Sequence, residues 1–435
     1  MKEQHERPGR ALRGAASFAV LATLALAAQS SRAETEFPLQ LTLSEALQRA
    51  FANSPAIQAR RADVRRVEAR LLGARTHPFN PELEFTVGDR RGLAETSTDL
   101  SIGISQEIQI GGQRRREVAA VEASVEAVRS VFERELRLLA ASVEQAFAET
   151  LRARELNEIA VADAELARQL LRFSVRRLEA GSGTQVELNL ARSTAGQAER
   201  ALRLSESGEA TARNRLSELI GLSPEAGLRV VGEQRMPEDQ MLQFEELLAS
   251  AIQNRADLAA LHHEAESAER AIELSKSLRI PNLRLGAFYE DEEGTDEIKG
   301  ISLAVPLPLF NRNQGEVAEA QAEAERLSAQ GLVAELAVRR EVADALAQYR
   351  SARETARSLR DLVVGTLEEN LTLLQKALDA GKVGASDVLV FRREFVEGQR
   401  QYVEALFEAQ SARIALDLAT GHTPIQLTPP QETQP

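Results

Sequence analysis

The sequence has no cysteine and no tryptophan, only three methionines, and 4% aromatic residues. Without cysteine there are no disulfides, no thiolate metal ligands and no thiol nucleophile, and no lipid can be attached through an N-terminal cysteine. Of the five histidines, His5 lies in the first few residues, which leaves little from which to build a tight metal store. No Ser/His/Asp set, Walker loop or dinucleotide fingerprint stands out, so an enzyme is not expected and no cofactor is called for. Past residue 33 no run reaches the roughly 20 apolar residues of a membrane-spanning helix. Positive charge is also short: the formal net charge is −13, which argues against nucleic acid as the main partner and permits cations as cargo. Glycine and proline are absent throughout Gln113–Ala180, about 68 residues or about 100 Å if helical.

What is present fits that long gap. The 435 residues are 43% hydrophobic and 27% charged, a composition of long helices rather than of one globular core. Within the glycine-free stretch, Val118, Val121, Val125, Val128, Phe132, Leu136, Leu139 and Val143 recur every three or four residues, close to a coiled-coil seam. The rod ends at Ala180-Gly181-Ser182-Gly183-Thr184, a C-terminal glycine signal followed by an N-cap. A second rod, Asn313–Ala380, ends at Ala380-Gly381-Lys382-Val383-Gly384. At the N-terminus, Arg7, Arg10 and Arg13 precede an apolar run and Ser31-Arg32-Ala33. This is the pattern of an export signal spanning 1–33, too short for a membrane anchor.

Along the mature chain, Leu41–Arg75 reads as a helix capped by Ser44 and interrupted at Asn53-Ser54-Pro55. Leu83, Phe85 and Val87, then Leu100, Ile102, Ile104 and Ile108, alternate as a β-hairpin with one apolar face. The rod follows, then a helix from Thr184 to Ile220. After a linker at 222–243 the order restarts: a helix from Phe244 to Leu278, alternating residues Leu283–Tyr289 and Ile301–Leu309 around an acidic loop, the second rod, and a helix from Ala385 to Thr420. Repeats are therefore expected at 34–221 and 244–421, with a disordered tail at 422–435. The offset is about 200 residues. It aligns Ala50 and Asn53 with Ala251 and Asn254, Gln113 with Gln314, Glu187 with Asp387, and Gly221 with Gly421. In each half the two shorter helices together match the rod in length, so they can lie end to end beside it.

The strands are about ten residues long, which suits a tilted crossing of a bilayer. Four strands cannot close a barrel, and an open edge in lipid leaves backbone groups unpaired. Hairpins that enter a membrane must then be pooled among copies, and three copies would supply about 12 strands and 12 helical columns. The other class of reading is a periplasmic coiled-coil scaffold without a pore, its hairpins capping its own helices.

These residues resemble the TolC-type outer-membrane efflux proteins over nearly all of the mature chain. The resemblance rests on the duplicated order of elements and on paired turns, Arg177–Leu188 and Leu378–Leu389. The junction Val305-Pro306-Leu307-Pro308-Leu309-Phe310-Asn311-Arg312-Asn313-Gln314-Gly315 resembles the CzcC-like branch, which serves cobalt, zinc and cadmium export. The resemblance implies a mainly α fold with a small β part, trimerising to a 12-stranded β-barrel and an α-helical barrel. It implies an outer-membrane duct reaching through the periplasm of a Gram-negative bacterium. Its partners would be two further copies, outer-membrane lipid, a periplasmic adaptor and an inner-membrane pump of the resistance-nodulation-division type. Cargo would be divalent heavy metals or, alternatively, drugs and other small organic solutes.

Asp387, just after the second glycine turn, is similar in place to a gate aspartate of the family, and three copies would make a ring of carboxylates that favours cations. Three positions on, where members can carry a second acid, stands Val390. Glu187 is the first-half counterpart. Each also fits a plain N-terminal helix acid. Gly181, Ser182, Gly183, Thr184, Gly381, Lys382, Val383 and Gly384 form the tip turns where the adaptor would dock. His262-His263 are neighbours in a helix and do not share a face, so they do not read as metal ligands.

Overall fold

The computed structural model describes residues 39–91, 96–223, 227–238, 242–292, 296–361 and 385–422, with 365, 366, 370, 373 and 376. The expected leader, the tail from 423, and the second tip turn (Gly381, Lys382, Val383 and Gly384) lie outside the described residues.

A short strand β1 (Leu39–Leu41) leads into helices α1 (Leu43–Asn53) and α2 (Pro55–Arg75). The cap of α1 is Thr42, not Ser44. The Thr42 hydroxyl accepts from the Glu45 N–H, and the Glu45 carboxylate accepts from the Thr42 N–H at 2.8 Å. Thr42 has a glutamate three residues on and Ser44 has Leu47, so only Thr42 can form a reciprocal capping box. Ser54 separates the two helices, and Pro55 opens α2 where its missing N–H costs nothing. Strands β2 (Glu82–Arg91) and β3 (Thr96–Ile108) make the first hairpin. The rod is α3 (Gln113–Glu179), 67 residues without a break. Helix α4 (Gln185–Leu219) returns from the tip.

Strand β4 (Leu228–Val230) lies within the stretch expected to be only a linker and pairs in parallel with β1. Three residues are too few to show alternation, so this pair was not legible in the sequence. The second half contains α5 (Phe244–Asn254), α6 (Ala256–Ser277), β5 (Leu283–Glu292), β6 (Asp296–Ala304), α7 (Gln314–Leu359) and α8 (Ala385–Ala419). Three expectations are corrected here. The helix from Phe244 to Leu278 is two helices, broken at Arg255, the counterpart of Ser54. The strand expected to reach Leu309 stops at Ala304, because Pro306 and Pro308 have no N–H to give to a ladder. The acidic residues Asp291, Glu292, Asp296 and Glu297 belong to the strands rather than to the loop between them.

Strands β2, β3, β5 and β6 form one antiparallel sheet in that order. Within the chain β2 and β6 are its two edges. The helices form a wall of columns: α2 and α4 pack along α3, α3 packs along α6 and α8, and α7 packs on α5, α6 and α8. The expected end-to-end arrangement is present. At the first joint the Asn53 side-chain amide donates to the Ile220 carbonyl at 3.4 Å. Gly221, at φ +71°, comes so close that a Cβ there would lie 2.9 Å from Asn53 Cβ. At the second joint, Gly421 at φ +68° meets the Asn254 backbone in the same way.

Two separate cores hold these joints. Leu47, Ala50, Val143, Phe147, Leu216 and Ile220 pack with the β1–β4 pair. Leu248, Ala251, Val338, Val342, Leu346 and Leu416 repeat the arrangement in the second half. Toward the tip a smaller cluster of Ala164, Ala167 and Ala198 joins α3 to α4, small residues that let helices approach closely.

Candidate functional site

The sheet register sorts its side chains into two faces. One row runs Leu83–Ile104–Ala287–Ile301, the next Phe85–Ile102–Tyr289–Lys299, and Leu285 lies opposite Leu303. Leu83, Phe85, Ile104, Ile301 and Leu303 are all exposed. A contiguous apolar face of this size has no place in water. The opposite face carries Glu84, Thr86, Ser101, Ser105, Glu290 and Ser302, with Phe288 and the exposed Ile298 among them. The Phe288 ring lies over Gly300, where a Cβ would come 2.5 Å from Cζ. A side chain at position 300 would displace this ring, a cross-strand link that sequence reasoning missed. Such an apolar-out, polar-in pattern is that of a barrel strand in a bilayer. No described helix is long and apolar enough to cross a membrane.

At the far end of the wall, α3 closes in a Schellman motif. Ser182 N–H donates to Arg177 O at 2.9 Å and Gly181 N–H to Leu178 O at 3.0 Å, with Gly181 at φ +71°. The second glycine has a different reason: a Cβ on Gly183 would lie 3.0 Å from Arg177 Cβ. The Arg177 guanidinium reaches over the turn and donates to Ser182 O at 2.7 Å. Thr184 then caps α4, and Glu187 closes a capping box through the Thr184 N–H at 3.0 Å. Val186 beside it is 75% exposed. The tip is a hydrogen-bonded, solvent-facing turn, and the Glu187 carboxylate is engaged in building it. The backbone of Asp387 lies in α8; its side chain is outside the described residues.

Between sheet and tip, charged groups join the columns. Arg255 donates to Asp257 and to Glu341, each at 2.6 Å, across the break between α5 and α6. Burial pushes the Asp257 carboxyl up, and the hydrogen bonds and charge of Arg255 outweigh it, so the carboxyl ends below its usual range. Arg137 of α3 donates to the carbonyls of Asn254 and Gly421, tying the second joint to the rod. Glu144, facing Asp417 between α3 and α8, is pushed up to about 7 by burial and then by the Asp417 charge. Nearer the tip Arg392 of α8 and Asp163 of α3 pair at 2.5 Å, with side chains only 9% and 10% exposed. Nothing local marks the last two pairs: the partners stand far apart in the chain, and only the register of α3 against α8 brings them together. His262 and His263 stack edge to face with ring centroids 5.7 Å apart, and His263 lies 3.8 Å from Glu266. Among the described residues no group of three or more His, Asp or Glu could hold a metal ion.

Comparison with known proteins agrees with this geometry. The family model described as "Outer membrane efflux protein" matches twice, at residues 46–222 and 247–422. The chain is similar to the cobalt-zinc-cadmium resistance protein CzcC of Cupriavidus metallidurans, 27% identical over 384 residues, covering 88% of this chain and 90% of that one. It is also similar to the pyoverdine export outer membrane protein OpmQ of Pseudomonas putida, 25% identical over 407 residues, covering 87% and 85%. Among solved structures, the outer membrane protein VceC of Vibrio cholerae shares the fold with a TM-score of 0.70 at 20% identity, covering 87% of this chain and 96% of that one. The chain belongs to the outer membrane efflux protein family, non-enzymatic channels of the outer membrane of Gram-negative bacteria.

Proposed function

We propose that three copies of this chain assemble into one duct that passes divalent heavy-metal cations outward, driven by an inner-membrane pump and joined to it by a periplasmic adaptor. The observation that carries the assembly is the pair of open edges. The sheet ends at β2 and β6 with an apolar face exposed, and the helical wall ends at α2 and α4 on one side and α7 on the other. An unpaired strand edge is not tolerated in lipid, and copies that pair β6 with a neighbour's β2 remove both edges at once. On α7, Leu332, Val333 and Leu336 are exposed and are available to a neighbouring column. The turn at Gly181, Ser182, Gly183 and Thr184 offers a hydrogen-bonded end to an adaptor. Its counterpart at Gly381, Lys382, Val383 and Gly384 is proposed for the same role.

The cargo reading is supported by the similarity to a cobalt-zinc-cadmium resistance protein along almost its whole length. Similarity to a pyoverdine exporter supports a second reading, export of organic solutes. Deletion of the gene separates them. Metal cargo predicts lowered tolerance to zinc, cobalt and cadmium. Unchanged metal tolerance with new sensitivity to dyes or antibiotics would favour the second.

Asp387 is proposed as the constriction residue, one carboxylate from each copy forming a ring that selects cations. Glu187 is the lesser candidate, since its carboxylate already serves the cap. Asp387→Ala is expected to raise single-channel conductance and reduce cation selectivity in a planar bilayer. Unaltered values for both would remove Asp387 from this role.

A further inference from the structure

The two strand-to-helix junctions are unequal. The first passes from Ile108 to Gln113 through a short glycine turn; the second takes a longer path from Ala304 to Gln314. That longer path carries Val305, Leu307, Leu309 and Phe310, all exposed, with Leu307 at 75% and Phe310 at 91%. It continues the exposed odd-numbered row of Ile301 and Leu303 past the end of the sheet.

We propose that the segment Val305–Phe310 is an anchor seated in the phospholipid of the periplasmic leaflet, fixing how deep the channel sits in the membrane. The inference rests on the lipid-facing reading of the sheet. Three observations carry it. First, no charged residue occurs between Lys299 and Arg312. Gly300–Leu307, at about 3.3 Å each and tilted by about 45°, rise about 19 Å before the chain bends at Leu309–Phe310, so the run crosses much of the roughly 30 Å of a hydrocarbon core. This places Arg312 at the headgroups and Phe310 just inside them, where aromatic side chains are favoured. Second, the segment has few backbone donors to desolvate. Pro306 and Pro308 have no N–H, and Leu309 N–H donates to Leu307 O at 2.9 Å. The same prolines prevent it from adding a ladder to a second copy. Third, the segment is held in place rather than left to collapse onto the helices. Asn313, at φ +57°, donates from its side chain to Ser275 O at 2.9 Å, Asn313 N–H donates to Asn311 Oδ1 at 3.0 Å, and Arg312 N–H donates to Gln314 Oε1 at 2.7 Å.

The absence of tryptophan provides a silent background for the test. Phe310→Trp and, separately, Ile301→Trp are made in the full-length protein and reconstituted in phosphatidylcholine vesicles. The acyl chains carry bromine either near the headgroup or near the chain end. The inference predicts blue-shifted emission for Phe310→Trp, quenched about twofold more strongly by shallow than by deep bromine. Ile301→Trp should be quenched as well. Should Phe310→Trp fail to assemble, Leu309→Trp is expected to give the same result. Quenching at Ile301→Trp with water-like emission at Phe310→Trp overturns the anchor and leaves the sheet in lipid. Blue-shifted but unquenched Phe310→Trp also overturns it and places a neighbouring copy on the segment. No quenching at either position removes the lipid-facing sheet along with the anchor.

Discussion

At the scale of single residues, the charged groups inside the helical wall make specific demands. Glu144 is the clearest case. Its folded pKa is raised from 4.5 to about 7, so the folded state holds the proton more tightly than the unfolded chain does. Its stabilising contribution is full below pH 4.5 and is lost as pH rises through about 7. The neighbours that shape it are Asp417 from α8, whose charge opposes ionisation, with Arg413 paired to Asp417 at 2.9 Å, and Arg137 and His422 lining the same small cavity. Glu144→Gln is therefore expected to flatten the fall in melting temperature between about pH 4.5 and 7 and to leave the variant more stable than the parent at pH 8. An unchanged pH profile would show that Glu144 reaches solvent. Gly221 makes a different demand, both for a positive φ and for room beside Asn53. Its sequence match with Gly421 was visible, but the contact that explains the match was not, because Asn53 and Gly221 stand at the ends of different helices.

At the scale of elements, boundaries were largely legible and long-range partners were not. The ends of α3 and α4 fall where Gly181, Thr184 and Gly221 predict, since capping is local chemistry. The break at Arg255 was hidden, because no proline stands there as Pro55 does in the first half. What holds it open is the grip of Asp257 and Glu341 on the guanidinium, and Glu341 comes from another helix. The end of β6 was overestimated because apolar alternation continues through Val305–Leu309 after the hydrogen bonds stop. The Asp163–Arg392 pair was invisible for the same reason as the Arg255–Glu341 contact. It joins α3 to α8 with little water, and Asp163 Oδ1 and Arg392 Nε have no hydrogen-bond partner among the described residues. Removing Arg392 leaves the buried Asp163 carboxylate with only the more distant charge of Arg400. Arg392→Met is expected to destabilise the α3–α8 contact by about 3 kcal/mol. Asp163→Leu combined with Arg392→Met is expected to restore most of that, as read by melting of the detergent-solubilised protein. A single variant as stable as the parent would show that water reaches the pair.

At the scale of the whole molecule, neither layer closes on itself among the described residues. A thin wall of helical columns and a four-stranded sheet are each open on both sides. The duplication was legible because Ala50, Asn53, Gln113 and Gly221 recur at one offset, and it supplies two similar halves without closing either layer. In the proposed assembly the apolar sheet face meets lipid, the exposed α7 face meets another copy and the tip turn meets an adaptor. Their assignment to one duct depends on the number of chains that share it. The direct measurement is the mass of the detergent-solubilised protein by native mass spectrometry, with detergent stripped in the gas phase. Three chains per particle, with no monomer at micromolar concentration, is the predicted result; a monodisperse monomer that stays soluble without detergent would contradict the account.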